Sequence, residues 1–121
     1  MKAHLICPVR NCTPETKEFL DQYVVKLEEQ GYTVHYPQRD VDQTDDGIGF
    51  TICDAHRKAM LEADEIHILW DKTSTGSHFD FGMAFMLANF KPVKFVCISP
   101  FEKTPHKSYG NVLQFLSFLS I

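Results

Sequence analysis

The chain has 121 residues, 44% hydrophobic and 23% charged, which fits one globular domain with a real core and excludes a disordered chain. Sixteen acids against twelve lysines and arginines leave a net charge of −4, which excludes a broad basic face for polymeric nucleic acid or a membrane surface. Arg10 and Arg39 leave room for a local basic spot.

The N-terminal run Met-Lys-Ala-His-Leu-Ile-Cys-Pro breaks at Pro8, and no apolar run is long enough to span a bilayer. A complete, cytoplasmic chain is expected. The four cysteines (Cys7, Cys12, Cys53, Cys97) then read as reduced thiols, with Cys7 and Cys97 in apolar runs.

In chain order, Ala3 to Val9 reads as a first strand. Thr13-Pro14 supplies an N-cap and a proline at the first helical position. Phe19, Leu20, Tyr23, Val24 and Leu27 recur at helical spacing up to a stop at Gly31. Tyr32 to Tyr36 reads as a second strand, halted by Pro37. Residues 38 to 49 are a polar loop, longer than a plain connector needs. Residues 50 to 63 are helical, with Ile52, Ala55, Ala59, Met60 and Ala63 on one side. Ile66 to Trp70 is a third strand, 71 to 77 a loop, and an apolar helix starts near Ser77. Pro92 to Ser99 is a fourth strand, and Tyr109 to Leu119 a last helix.

Apolar strands spaced by helices predict right-handed crossovers and a mainly parallel sheet of four to five strands. The expected class is a three-layer α/β/α domain, flavodoxin-like or Rossmann-like, spanning 1–121. In such a sheet ligands bind beyond the carboxyl ends of the strands, where the loops 10–13, 38–49 and 71–77 should meet.

The segment Asp71-Lys-Thr-Ser-Thr-Gly-Ser-His-Phe-Asp-Phe-Gly-Met-Ala joins the third strand to the apolar helix. Its Ser74, Gly76 and Ser77 offer hydroxyls and N–H groups that suit a phosphate or sugar, or form an ordinary turn. Asp80 is the one carboxylate in a helix apolar nearly all round. It is either the acid of a capping box begun by Ser77 or a carboxylate at the floor of a crevice, able to act as a nucleophile. Gly82 would allow close approach of a neighbouring backbone or ligand. Asp71 sits at a strand's carboxyl tip. Arg10 and Asn11 follow the first strand, with Arg10 the leading phosphate candidate. Arg39 and Asp40 read as a local ion pair or a substrate clamp. His56 makes one Cys-x-x-His pair with Cys53, too few ligands for zinc, so no metal is expected. There is no Gly-x-Ser-x-Gly elbow, no Walker loop and no Gly-x-Gly-x-x-Gly fingerprint.

The runs Ala63-Asp-Glu-Ile-His-Ile-Leu-Trp-Asp71, Ser74-Thr-Gly76 and Phe79-Asp-Phe-Gly-Met-Ala84, with Cys7-Pro-Val-Arg-Asn11, resemble the nucleoside 2-deoxyribosyltransferase superfamily, which includes nucleoside 5′-monophosphate N-glycosidases. The resemblance covers most of the chain in element order and is specific over 63–84. It implies cleavage or transfer of the N-glycosidic bond of a (deoxy)nucleoside or its 5′-monophosphate. Asp80 stands in the place of the family's nucleophilic Glu, one methylene shorter. Ser74 matches its phosphate-binding serine, Arg10 an arginine of its first loop, and His56 lies near its assisting acid. Asp71 and His56 are the candidates to protonate the departing base. The resemblance also implies no cofactor and a homodimer or higher homo-oligomer. The residues leave open a non-catalytic nucleotide-binding or sensing module using the same crevice, and a structural domain in which Asp80 only caps a helix.

Overall fold

Four short apolar segments pair as parallel strands: β1 (Lys2–Ile6), β2 (Thr33–His35), β3 (Glu65–Ile68) and β4 (Lys94–Cys97), in the order β2-β1-β3-β4. The structure is a computed structural model that describes residues 1–10, 12–44, 47–99 and 103–120. Ala3 to Ile6 lie opposite Glu65 to Ile68 in register, and Glu65 to Ile68 opposite Lys94 to Cys97.

β2 lies on one side of β1 and β3 on the other. Right-handed crossovers that leave in opposite directions must run over opposite faces. Helix α1 (Pro14–Glu29) accordingly covers one face, packing Leu20, Val24 and Leu27 on Leu5, Cys7, Val34 and Tyr36. Helices α3 (Phe50–Glu62), α4 (Thr75–Leu87) and α5 (Tyr109–Leu119) bring Met60, Phe81, Ala84 and Leu113 to the core with Ile6, Ile66, Ile68 and Phe95. This is the expected three-layer α/β/α architecture, with four strands among the described residues.

The local signals act as their chemistry dictates. Thr13 caps α1 by accepting from Thr16 N at 3.1 Å, and Gly31 ends the segment at φ 94°. β1 is shorter than the apolar run suggests, because Pro8 has no N–H for a ladder; its last rung is Leu69 N to Ile6 O at 2.9 Å. The polar stretch after Pro37 is not all loop, since Pro37–Asp40 form one helical turn, α2. All four cysteines are free thiols, Cys7 buried and Cys97 half-buried rather than buried. Among the described residues no helix is long and apolar enough to cross a membrane.

Under α1 lies a closed polar network. The buried Glu65 and His67 point to the same face of β3. His67 Nε2 pairs with Glu65 Oε1 at 2.7 Å, the Tyr23 hydroxyl pairs with His67 Nδ1, and the Tyr32 hydroxyl donates to both Glu65 oxygens at 3.2 Å. Burial and the Glu65 charge push the Tyr23 hydroxyl up to about 12.

Gly49 caps α3 with φ 85°, in the left-handed region, and a Cβ there would meet nothing within 4 Å. Only the backbone conformation should then be penalised, so Gly49→Ala should lower unfolding free energy by about 1 kcal/mol in urea denaturation. A loss near zero would mean that the chain relaxes out of that conformation.

Candidate functional site

At β1 and β3 the crossovers diverge, and beyond the carboxyl ends of these neighbouring strands is where a sheet of this kind takes a ligand. Helix α4 starts there. Its N-cap is Ser74, whose hydroxyl accepts from Ser77 N at 3.2 Å. The helix therefore begins at Thr75, not at Ser77, and the capping-box reading of Asp80 is overturned. Asp80 stands six residues past the cap, beyond the third helical position from which an acid reaches back to a cap N–H.

Asp80 instead faces α3. Its residue is 7% exposed, and Oδ2 lies 2.9 Å from His56 Nδ1. With Nδ1–H donating to the carboxylate, His56 Nε2 is left buried and without a hydrogen-bond partner among the described residues. Burial, Cys12 and the Asp80 charge together push the Cys7 thiol up to about 12, so the carboxylate is felt at the end of β1. The structure thus joins Asp80 and His56, which the sequence singles out separately.

Behind His56 stand two further histidines that sequence reasoning missed. His4 Nδ1 and His35 Nδ1 are 2.9 Å apart, and the rings of His4 and His56 are 5.9 Å apart. Nothing in the apolar run around His4 marks that residue, because the pairing arises only when β1 and β2 align His4 with His35. Burial, with His35 and His56 adding their repulsion, holds His4 down to about 3. Among the described residues no group of three or more ligating side chains has the geometry to hold a metal ion.

The remaining candidates divide. Ser77 is buried on α4 one turn before Asp80, and its Oγ has no partner among the described residues. Gly76 is exposed in the first turn of α4. Gly82 is exposed, and a Cβ there would meet nothing within 4 Å, so among the described residues no backbone from another element approaches it closely. Arg10 is exposed just after β1, with no ion pair among the described residues, and Asn11 lies outside the described residues. Asp71 is engaged in its own turn, accepting from Thr73 N at 2.9 Å and Thr73 Oγ1 at 2.7 Å. These bonds hold its carboxyl below the usual range. Arg39 and Asp40 form a local ion pair at 2.8 Å, and Arg39 also reaches Glu28 and the Val34 carbonyl. This engages Arg39 with its own chain rather than leaving it free for a substrate.

Aromatic residues that the sequence analysis did not single out gather at the start of α4. His78 Nδ1 donates to Ser74 O at 2.7 Å, with the Trp70 ring 4.6 Å from His78 on one side and Tyr109 at 5.6 Å on the other. Two surface cavities, of about 560 and 330 Å³, lie elsewhere: at the amino ends of β3 and β4, and beside Tyr36 and Arg39. Neither is lined by Asp80 or His56.

No family model matches the chain, and no curated protein matches it. Among solved structures it is similar to the Clostridium botulinum CMP N-glycosidase BcmB. The TM-score is 0.59 at 17% identity, over 97% of this chain and 83% of that one. At that identity the likeness shows the shared fold.

The two serines at the start of α4 should separate in stability. Ser74→Ala removes the cap bond and should cost about 1 kcal/mol. Ser77→Ala removes a buried hydroxyl that bonds nothing described, and should be neutral or stabilising in the same urea measurement. The histidine cluster sets a pH dependence. His4 is held below its unfolded value of about 6.5, so between that pH and about 3 the unfolded chain binds the extra proton. Stability should fall as pH drops through this window, by up to about 1.4 kcal/mol per pH unit for each such proton. His35 and His67, also lowered mainly by burial, act with the same sign. His4→Gln should flatten the slope, and an unchanged slope would remove His4 from the account.

Proposed function

We propose that this protein cleaves or transfers the N-glycosidic bond of a nucleoside or its 5′-monophosphate, with Asp80 as the nucleophile. The observation that carries this reading is the buried Asp80–His56 pair between α3 and α4. The resemblance over 63–84 and the fold shared with a CMP N-glycosidase support it. The reading includes a small-molecule substrate rather than a polymer, and action in the cytoplasm.

Asp80 Oδ2 is held by His56, and no hydrogen bond engages Oδ1 among the described residues. In the proposed step Oδ1 attacks the anomeric carbon through an oxocarbenium-like state, and the glycosidic bonding pair leaves with the base. Asp71 is held ionised by Thr73 and makes a poor acid. His56, written as the imidazolium, is then the donor: as Asp80 becomes an ester it loses its charge, its hold on Nδ1–H weakens, and the base takes that proton. Water, or a second base, attacks the glycosyl ester and returns its proton to His56, freeing Asp80. Ser74, Ser77, Gly76 and the unpaired Arg10 would receive a 5′-phosphate at the start of α4, where free N–H groups and the helix dipole favour an anion. Gly82 would leave room for the ligand, and Asn11 would contribute from the first loop.

A second reading draws on the same pair. Asp80 is one methylene shorter than the glutamate it replaces, and His56 occupies one of its oxygens. A displacement of about 1 Å is worth on the order of 100-fold in rate. A module that binds nucleotides without cleaving them fits that geometry.

One experiment separates the two. The purified chain is incubated with a panel of nucleosides and their 5′-monophosphates, and free base is followed by chromatography. Base release is expected from at least one monophosphate. Asp80→Asn should reduce it on the order of 10³-fold or more, and His56→Gln on the order of 100-fold. Arg10→Ala should raise KM for the monophosphate about tenfold and leave the nucleoside unaffected. Ligand binding without base release would sink the enzyme reading and leave the binding module, and full activity in Asp80→Asn would sink the nucleophile.

A further inference from the structure

His56 is cut off from water on both sides of its ring. Nδ1 lies on Asp80, and Nε2 is buried with no hydrogen-bond partner among the described residues. A group that must hold a proton for a departing base needs a route by which that proton arrives. We infer that His35, His4 and His56 form a relay that carries a proton from the surface beside β2 to the Asp80–His56 pair. The path follows from the packing of the three rings, and the use made of its proton rests on the glycosidase reading.

The rings come from three elements. β1 supplies His4, β2 supplies His35 at the paired position, and α3 supplies His56. Ring centres are 5.0 Å apart for His4 and His35, 5.9 Å for His4 and His56, and 6.4 Å for His35 and His56. Exposure is graded along the group: His4 is wholly buried, His56 nearly so, and His35 only in part. His35 is therefore the end that meets solvent.

The bond between His4 and His35 gives the relay its chemistry. Nδ1 meets Nδ1 at 2.9 Å, so one ring donates and the other accepts. A neutral His4 carries hydrogen on one nitrogen only. If its Nδ1 accepts from His35, its Nε2 bears the hydrogen; if its Nδ1 donates, its Nε2 is bare. A proton shift along this single bond thus turns His4 Nε2 from donor to acceptor. Burial, with the repulsion of His35 and His56, holds His4 down to about 3, so it passes a proton on rather than storing it. Like His56 Nε2, His4 Nε2 is buried without a partner among the described residues. At the 5.9 Å ring separation one water reaches both nitrogens and completes the path.

The transfer balances. At the start His35 Nδ1–H donates to His4 Nδ1, His4 Nε2–H donates to the bridging water, and His56 Nε2 is bare. A solvent proton adds to His35 Nε2. The Nδ1 hydrogen of His35 passes to His4 Nδ1, the Nε2 hydrogen of His4 passes to the water, and the water gives one of its own to His56 Nε2. His35 and His4 end neutral in their other tautomers, and His56 ends as the imidazolium, one proton gained. Asp80 on α4 faces the inner end and favours the positive charge there, while Cys7 past β1 is a neutral thiol. At the outer end Asp40 and Arg39 act on His35 in opposite directions.

The test is the rate at which the His56 ring exchanges protons with water, read by ¹⁵N NMR of the histidine-labelled chain. This readout needs no turnover. His35→Gln and His4→Gln should each slow the exchange on the order of tenfold or more, with an unchanged circular dichroism spectrum. His35→Ala should slow it equally, and imidazole added to the buffer should restore it, because a free ring can take the place of the lost one. His106→Gln, at an exposed histidine of the loop before α5, should change nothing. Where base release is measured, His35→Gln should lower kcat on the order of tenfold at unchanged KM, and imidazole should recover it in His35→Ala. If His4→Gln does not fold, the half-buried His35 variants carry the comparison. Exchange unchanged by the variants, or slowed in His35→Ala without recovery in imidazole, would overturn the relay. Exchange that is slowed and rescued in a chain releasing no base leaves the relay standing and sinks the glycosidase reading instead.

Discussion

A carboxylate buried in an apolar helix must be neutralised, paired or removed, because an isolated buried charge is far too costly to keep. Asp80 is paired, by His56 at 2.9 Å, and much of the rest of the molecule follows from that bond. It fixes which side of α4 faces α3, and hence the rotation of a helix that offers few other polar landmarks. It sets Asp80 near Cys7, just past the end of β1, and His56 over His4 within that strand. It also draws His56 toward His4 and His35, so that three imidazoles share one small volume beside that carboxylate.

How far this was legible in the sequence depends on the range of the interaction. The order of elements, the parallel sheet, the Thr13–Pro14 start and the Gly31 stop follow from local chemistry, and the structure agrees with them. The start of α4 was misplaced by two residues because Ser74 and Ser77 are both plausible caps in one sequence. Only the finished turn shows that Ser74 accepts from Ser77 N. Asp80 and His56 could be picked out as single residues, one an acid among apolar neighbours and the other a lone histidine. Their bond could not, since it spans 24 positions and requires α3 and α4 to pack side by side. The same limit hid His4 and His35, and it left the choice between clamp and ion pair for Arg39 undecided until Glu28 and Val34 came within reach.

The two faces of the sheet carry different loads. On one, α1 alone packs over β1 and β2, and its exposed side is richly charged. On the other, three helices share a core, and two of them present aromatic rather than charged surface outward. Three features share α4: its first turn carries hydroxyls and N–H groups, its inner side holds Asp80, and its outer side is apolar. Any change that rotates this helix would disturb all three.

The network of Tyr23, Tyr32, Glu65 and His67 beneath α1 has a consequence for how β3 finds its place. Side chains alternate across a strand, so a slip by one residue exchanges its two faces. Here that slip would drive Glu65 and His67 into the apolar layer formed by Ile6, Phe81 and Phe95, and turn Ile66 and Ile68 toward two tyrosine hydroxyls. Both halves of that exchange are unfavourable, so the alignment of β3 between β1 and β4 is encoded twice, once in oil and once in hydrogen bonds. An alternation of isoleucine with ionisable residues in the centre of a parallel sheet, unusual as composition, acts as a lock on strand alignment.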